Sequence, residues 1–237
     1  MRPAVCKLLL LTALGPTGYV SAQPEGPSLD IYLTIASDYL NRGASQTDGE
    51  PALQVGLDYR HRSGLFAGAW LSNVEFATEA LRTKPRRSEL DYYVGYSADH
   101  EEWSWALTLA NYRYPNIYVS YDYSELSVSV SVKERFHYQA SHTNDLLAQG
   151  RNALNQEIGL TLPFYRNFEF GAAVGLFRSS DISGDHYTHF NLGVSKVWRR
   201  WTGDMRYYDT NYPRRTHLGD PAERRWVLSL SYGFSPL

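Results

Sequence analysis

The stretch that decides the fold of this chain is ALQVGLDYR, residues Ala52–Arg60. Its apolar members are Leu53, Val55, Leu57 and Tyr59, and they alternate one by one with Gln54, Gly56, Asp58 and Arg60. Successive side chains of a strand point to opposite faces. A strict period of two therefore predicts a strand with one apolar face and one polar face.

The same alternation recurs from one end of the chain to the other. It predicts twelve strands, near 31–39, 52–60, 65–74, 89–97, 103–113, 123–132, 135–142, 155–162, 167–177, 187–198, 201–210 and 225–234. Most of these segments run about eight to eleven residues, longer than the roughly 5–6 residues of a typical soluble strand. This length suits a tilted strand that crosses a hydrocarbon layer.

The connections between these segments alternate between short and long. Short turns are expected at 61–64, 98–102, 133–134, 163–166 and 199–200. Long loops are expected at 40–51, 75–88, 114–122, 143–154, 178–186 and 211–224. Antiparallel strands with short turns at one end and long loops at the other are typical of an outer-membrane barrel. An even number of strands places both termini at the short-turn end.

A soluble β fold is the alternative, because alternation alone does not say whether the apolar face meets lipid or a core. The loop asymmetry and the strand lengths favour the membrane. So does the last strand, in which aromatic residues and leucines alternate from Trp226 to Phe234 close to the C-terminus. Such a strand is what the outer-membrane assembly machinery recognises, so this machinery is an expected partner.

The first 22 residues read as a secretory signal peptide. Arg2 and Lys7 precede an apolar run at 8–14, and small residues at 20–22 offer a cleavage site. The barrel domain is then expected to span 23–237. The chain's one cysteine, Cys6, lies in the leader, so the mature protein would have no disulfide.

Composition agrees with a barrel. No later stretch approaches 18 consecutive apolar residues, which excludes a spanning helix. The mean hydropathy of -0.42 suits strands whose every second residue faces a polar interior. Nineteen tyrosines and six tryptophans suit the two membrane interfaces. Loss of Arg2 and Lys7 takes the formal net charge from -2 to -4, which gives no basic footprint for nucleic acid.

One segment carries a family resemblance. The run SDYLNRGASQTD at 37–48, continued by PALQ at 51–54 and GLDY at 56–59, resembles the opening motif of the Gcw_chp or TorF-type family of outer-membrane porins. The runs SGLFAGAWLSNV at 63–74 and LGVSK at 192–196 and the final aromatic strand look like family positions too. The residues SPL after Phe234 and the serine-rich sixth strand depart from the family pattern. The resemblance implies a porin-like barrel in the cell outer membrane.

Motifs for catalysis or metal binding do not emerge. His186 and His189 are three residues apart on one strand and are expected on opposite faces. No nucleophile signature such as G-x-S-x-G appears. The carboxylates of Asp181 and Asp185 lack the spacing of a calcium loop. We therefore expect no catalytic residue, no metal site and no cofactor.

The candidate site is the barrel interior. With the apolar face outward, the inward side chains are expected to be Asp38, Gln54, Asp58, Arg60, Asp91, Glu125, Arg135, His137, Gln139, Glu157, Glu169, His189, Asn191, Asp204 and Arg206. These groups either pair with one another and fill the interior, or line a narrow aqueous path. Twelve strands lie between the eight whose side chains fill a barrel and the sixteen that leave an open channel, so both alternatives stay open.

The sequence therefore predicts a porin-like channel for passive diffusion of small hydrophilic solutes. Inward carboxylates outnumber inward arginines, which favours cations weakly. The alternatives are a closed barrel with a structural or surface-binding role and a lipid-modifying barrel enzyme. Basic residues in the second and sixth long loops, Arg86, Arg87, Arg214 and Arg215, are expected at the outer rim, where they could hold lipopolysaccharide phosphates or remain ordinary solvated charges.

Overall fold

Twelve antiparallel strands close into a barrel in the computed structural model, which describes residues 26–75, 87–115, 120–180, 186–211 and 224–236. The barrel strands are β1 Ser28–Ala36, β4 Ala52–Arg60, β5 Leu65–Val74, β6 Arg87–His100, β7 Trp103–Arg113, β8 Tyr123–Val132, β9 Phe136–Thr143, β10 Ala153–Tyr165, β11 Phe168–Ser179, β12 His186–Trp198, β13 Trp201–Thr210 and β14 Arg225–Phe234. Two short strands, β2 Leu40–Asn41 and β3 Ala44–Ser45, pair only with each other. A 3-10 turn lies at Leu146–Ala148.

Each barrel strand pairs with its neighbours in sequence, and β14 pairs with β1 to close the sheet. This topology confirms the predicted barrel and its twelve strands. The described ends of the chain both lie at the short-turn end, since Ser28 pairs with Arg60 and Phe234 with Ile31. No helix among the described residues is long and apolar enough to cross a membrane. The predicted signal peptide lies outside the described residues.

The first strand differs most from its predicted position, since it ends at Ala36 rather than at residue 39. Ser37 still bonds to β14, because its backbone N–H donates to the Leu228 carbonyl at 2.9 Å. After Ser37 the chain leaves the wall. The alternation in the sequence predicts that Asp38 and Tyr39 continue this strand, but in the structure both residues belong to the following loop.

The two faces of the sheet have opposite character. The outward side chains are largely apolar and exposed, as at Ile35, Leu107, Val128 and Leu228. The inward side chains are largely polar and buried, as along β8 and β9. An apolar exterior around a polar interior is the arrangement of a membrane-spanning barrel, and it is the reverse of a soluble β core.

Exposed aromatic rings gather near the short turns. They include Trp103, Phe136, Tyr165, Trp198, Trp201 and Phe234. Basic side chains lie above rings at this end: the Lys196 ammonium is 4.7 Å from the centroid of half-buried Phe168, and the Arg200 guanidinium is 5.3 Å from the centroid of Phe234. Aromatic and basic side chains together suit the depth at which hydrocarbon meets lipid head groups.

A glycine on one strand makes room for a ring from the next. Gly56 faces inward on β4, and a Cβ there would meet the Tyr32 ring of β1 at 1.9 Å. Gly175 on β11 makes the same room for the His189 imidazole of β12, which a Cβ would meet at 2.2 Å. Any side chain at Gly56 or Gly175 would therefore displace an inward ring, even though both positions face a lumen.

The orientation of the sheet gives a first prediction, tested at neighbouring positions of β8. Val128 faces outward near the middle of the strand, and Ser129 faces inward. Val128→Lys should lower the free energy of unfolding from bilayers by about 2–4 kcal/mol, because the charge enters hydrocarbon. Ser129→Lys should cost less, because its charge enters the polar lumen. Denaturant titrations in phospholipid vesicles measure both, and equal costs would contradict the membrane orientation.

Candidate functional site

The barrel lumen holds most of the residues that the sequence places inward. Gln54, Asp91, Glu125, His137, Gln139, Glu157, His189, Asn191, Asp204 and Arg206 are buried on inward faces. Asp58, Arg60 and Glu169 occupy inward positions and are half-buried. They come from β4, β6 and β8 to β13, so the wall is polar around much of its circumference. Whether these groups contact a solute remains a prediction.

Two of the predicted wall residues lie elsewhere. Arg135 is exposed in the short turn that joins β8 to β9, because β9 begins one residue later, at Phe136. Asp38 is buried inside the barrel, but it belongs to the loop after β1 and not to the wall. The predicted placement of both residues in the wall is therefore wrong.

The first long loop, residues 37–51, folds into the barrel as a hairpin. We call this segment the inward hairpin. Its two strands are β2 and β3, and its most buried side chains are Tyr39, Leu40 and Thr47, with 0%, 1% and 0% exposure. A surface loop would leave these residues in solvent. The inward hairpin instead becomes part of the packed interior at the long-loop end of the barrel.

Asp38 fastens the base of the inward hairpin. Its Oδ1 accepts hydrogen bonds from the hydroxyls of Ser45 at 2.7 Å and Thr47 at 2.8 Å. Its Oδ2 accepts one from Arg225 Nη1 of β14 at 2.9 Å. Thr47 Oγ1 also accepts from the Tyr39 backbone N–H at 3.1 Å. One buried carboxylate therefore ties both arms of the hairpin to the barrel seam.

Arg42 and Gly43 form the tip. Both have positive φ, 51° and 79°, in the two-residue turn between the paired Asn41 and Ala44. Positive φ at both central residues is the signature of a type I′ hairpin turn. The tip reaches the far wall, because a Cβ on Gly43 would come within 2.9 Å of the His189 Cβ on β12 and 3.0 Å of Thr210 Cβ on β13. A glycine is required there both for its φ and for its close approach.

The Arg42 guanidinium meets a carboxylate of the wall. Its Nη2 lies 2.7 Å from Oε1 and 2.6 Å from Oε2 of Glu125 on β8, and the ion pair is buried, with exposed side-chain fractions of 11% and 1%. Its Cζ lies 5.7 Å from the ring centroid of Phe177 on β11. Burial lowers the pKa of Arg42, but Glu125, Tyr123 and Tyr112 together outweigh burial and raise the pKa above its usual value. Arg42 is therefore a fixed positive charge inside the lumen.

Aromatic side chains surround the inward hairpin. Tyr39 packs edge-on against Trp70 of β5, with centroids 5.2 Å apart. Tyr112 of β7 stacks on Tyr123 of β8 at 4.6 Å. These rings belong to one buried cluster that also contains Leu40. The lumen at the long-loop end is therefore closely packed.

Three carboxylates cluster on the wall beside these rings. Glu89 and Asp91 face inward on β6, and Glu125 does so on β8. Glu89 accepts long hydrogen bonds from the hydroxyls of Tyr114 at 3.3 Å and Tyr39 at 3.5 Å. Sequence reasoning identified Asp91 and Glu125 but not Glu89, although Glu89 shares a face with Asp91 by the same alternation.

Asp91 stands apart because neither of its carboxylate oxygens has a hydrogen-bond partner, although the residue is 0% exposed. Buried carboxylates are normally paired or hydrogen-bonded. Among the described residues, no group of three or more His, Cys, Asp or Glu side chains could hold a metal ion. The cluster therefore contains carboxyl oxygens that the described side chains around it leave without a hydrogen bond.

A second cluster of polar side chains lies on the opposite part of the wall. Arg206 of β13 bonds to Asp204 through Nη2 at 3.1 Å and to the Asn191 side-chain oxygen through Nη1 at 2.7 Å. His189 Nε2 lies 3.0 Å from the Asn155 side-chain oxygen, and its Nδ1 lies 3.8 Å from Glu157. Unlike Asp91, these charged groups are matched by partners. His186, as expected from its spacing, lies on the exposed face opposite buried His189.

The predicted basic rim is only partly within the described residues, which exclude Arg86, Arg214 and Arg215, as well as Asp181 and Asp185. Arg87 is described, and it contradicts the rim prediction. It opens β6 on the inward face and is 7% exposed, because the period of two extends upstream from Glu89. Its side chain therefore belongs to the upper lumen and not to the outer surface.

Comparison with known proteins identifies the family of this chain and solved barrels of similar fold. Residues 21–234 match a family model described as "Bacterial protein of unknown function (Gcw_chp)". The fold is similar to the solved KdgM porin, with 10% identity, TM-score 0.53, and coverage of 87% of this chain and 99% of that chain. It is similar to the NanC porin, with 12% identity, TM-score 0.57, and coverage of 86% and 98%. No curated protein matches the sequence.

A third similar structure is an outer membrane channel from Pseudomonas putida F1, with 10% identity and TM-score 0.53. The alignment covers 94% of this chain and 99% of that chain. Identities this low establish the shared barrel fold alone.

The base of the inward hairpin gives a second prediction. Asp38→Asn keeps an acceptor for Ser45 and Thr47 but removes the charge that pairs with Arg225. The inward position of the hairpin should lose about 1.5–3 kcal/mol of stabilisation, which is the usual contribution of a hydrogen bond to a charged group. Limited trypsin digestion of the folded protein in detergent should then cleave faster after Arg42. The matched control is Glu50→Gln, an exposed position of the same loop. Equal cleavage of the two variants would show that Asp38 does not fasten the hairpin.

Proposed function

The chain belongs to the Gcw_chp family, and from this premise we propose that it is an outer-membrane channel through which small hydrophilic solutes diffuse passively. The family match confirms the resemblance in the sequence, whereas the TorF-type label stays a prediction. The family model's description gives no function, so the proposal depends on the geometry. Its main support is a closed barrel with an exposed apolar exterior and a polar, charged interior.

The inward hairpin acts as the constriction of this channel. It crosses the lumen at the long-loop end, from its base at Asp38 to its tip beside His189 and Thr210. It packs with Trp70 and with the other aromatic residues of the wall. A solute that enters from the long-loop end must pass or displace this segment. Its size and charge therefore select what the channel admits.

The proposed surroundings are the outer membrane and its lipid. The exposed apolar band and the aromatic rings near the short turns fit a bilayer. Lipopolysaccharide binding by Arg86, Arg214 and Arg215, and recognition of the last strand by the assembly machinery, remain predictions from the sequence. A role without catalysis is in line with the solved porins of similar fold.

Conductance in planar bilayers tests the channel. The purified full chain should give discrete single-channel currents, and a variant with residues 39–47 replaced by a short Gly-Ser linker should give larger ones, because the constriction is removed. Heat modifiability on gels confirms that the variant remains a folded barrel. If both proteins insert and neither conducts, the lumen is closed and the barrel has a structural or surface-binding role. If both conduct equally, the hairpin is not the constriction.

Ion preference gives a separate prediction. On the described strands, inward carboxylates outnumber inward arginines: Asp30, Asp58, Glu89, Asp91, Glu125, Glu157, Glu169 and Asp204 against Arg60, Arg87, Arg206 and Arg225. Reversal potentials across a potassium chloride gradient should show a weak cation preference, because salt screens part of the field.

Glu169 provides the matched test of this preference, since it is half-buried at an inward position near the short-turn mouth. Glu169→Gln should reduce the cation preference, whereas Glu101→Gln, in an exposed turn, should leave it unchanged. An anion preference in the unaltered protein would show that the loops set the field instead of the wall.

A further inference from the structure

In the packed part of the lumen, the Arg42 guanidinium lies between the Glu125 carboxylate and the Phe177 ring. We propose that Glu125, Asp91, Tyr112 and Tyr123 form a binding site for organic cations that carry a guanidinium or primary ammonium group. Arg42 is then a tethered occupant that such a solute displaces. The inference rests on the proposed channel function, and it names the class of solute that this channel would select.

The position of Arg42 shows that the site accommodates a planar cation. Both carboxylate oxygens of Glu125 lie within 2.7 Å of Nη2, and the Phe177 ring lies on another side of the same group, 5.7 Å from Cζ. The Tyr112 hydroxyl lies 3.5 Å from Glu125 Oε1, which helps to hold the carboxylate in place. Carboxylates together with aromatic faces are the groups that recognise guanidinium and ammonium ions.

Asp91 shows that the site has carboxyl oxygens that Arg42 does not satisfy. It is fully buried and leaves both oxygens without a hydrogen-bond partner. Glu89 also leaves Oε2 without one. Arg42 binds Glu125 only, so Asp91 and Glu89 could accept hydrogen bonds from a second amino group. A solute with two cationic groups would satisfy more of these oxygens than Arg42 does.

The chemistry of the site favours an organic cation over a metal ion. No three carboxylate, imidazole or thiolate groups within the described part of the chain are arranged to bind a metal. The surrounding groups are aromatic: Tyr112 and Tyr123 are stacked, and Tyr39 and Trp70 pack nearby. Aromatic faces add attraction for an alkylated or delocalised cation and supply no metal ligand.

The tether explains how a binding site can lie in a constriction. Arg42 is on the inward hairpin, so it competes with any solute at the effective concentration of a tethered group, ~mM for a short flexible connection. Binding of the solute requires that the guanidinium of Arg42 leave Glu125 and that the hairpin tip move away. Weak binding of this kind suits a channel, because a solute held too tightly would not pass.

Removal of the tethered guanidinium tests the inference directly. The probe is L-argininamide, which carries a guanidinium and an amino group, and binding is measured by calorimetry on the full chain in detergent micelles. Arg42→Gln should bind the probe at least tenfold more tightly than the unaltered protein, because it no longer competes. Arg42→Lys keeps a tethered cation and should retain the weak affinity. Arg113→Gln, which removes an exposed arginine paired with Asp122, is the matched control.

Further variants address folding and specificity. Glu125→Gln in the Arg42→Gln background should abolish the gain in affinity. The linker variant, which lacks Arg42 together with the hairpin tip, should bind as tightly as Arg42→Gln, so the test does not depend on the folding of one substitution. If neither variant binds L-argininamide more tightly than Arg113→Gln does, the site is wrong. An equal gain in affinity for glucose would also overturn the proposal. The gain would then come from the space that the Arg42 side chain leaves and not from the loss of its charge.

The experiments distinguish failure of the proposed binding site from failure of the proposed channel. Tight binding by Arg42→Gln without any single-channel current would support the site and contradict the channel. Currents without a gain in binding would support the channel and contradict the site.

Discussion

Closure of the sheet between β1 and β14 is the constraint on which the rest of this structure depends. In hydrocarbon, a backbone N–H or C=O without a partner is very unfavourable, and only a closed sheet leaves no edge. Six residue pairs, from Ile31 with Phe234 to Ala36 with Ser229, provide that closure. The Thr34 and Ser231 hydroxyls bond across the same seam at 2.7 Å. Once the barrel is closed, every outward residue faces lipid and every inward residue faces a lumen.

The lumen then imposes its own condition, because charges that enter it are buried. The inward hairpin brings two such charges, Asp38 and Arg42. Each finds a partner on the wall: Arg225 for Asp38 and Glu125 for Arg42. Unpaired, either charge would oppose burial of the loop by several kcal/mol. The apolar packing of Tyr39 and Leu40 supplies the attraction, and the two ion pairs remove the electrostatic obstacle.

The strands could be predicted from the sequence because their signal is local. In Ala52–Arg60 the period of two is complete, and the strand has the predicted bounds. The inward hairpin could not be found in this way, since β2 and β3 have two residues each and are too short for a period. Its partners are also distant: Glu125 lies 83 residues after Arg42, and Arg225 lies 187 residues after Asp38. A local signal did exist, namely the Arg42-Gly43 turn beside Tyr39 and Leu40 in a loop otherwise expected to be solvated.

The three misplaced residues have different physical reasons. Asp38 has the correct parity for an inward side chain, but the wall ends at Ala36. The sequence predicts Arg87 at the outer basic rim together with Arg86, whereas the alternation of Glu89 and Asp91 continues upstream and turns Arg87 inward. Arg135 is separated from the wall by one residue of turn. In each case the period of two predicts the correct face, but the predicted beginning or end of the strand is wrong. Local sequence constrains the ends of strands least.

The unpartnered carboxylate of Asp91 limits how firmly the inward hairpin can be held. A buried polar group without a hydrogen bond costs about 1–3 kcal/mol, and more when it is charged. The bonds to Asp38 that stabilise the inward position contribute about 1.5–3 kcal/mol each by the same measure. The three bonds to Asp38 together exceed this cost, so the inward position is favoured, but the unpartnered carboxylate lowers the free-energy difference between the two positions of the hairpin. A ligand shifts such an equilibrium only through its differential affinity for the two states. A cation that pairs with Asp91 once Arg42 has left has that difference, since the carboxylate is accessible to it in one state alone.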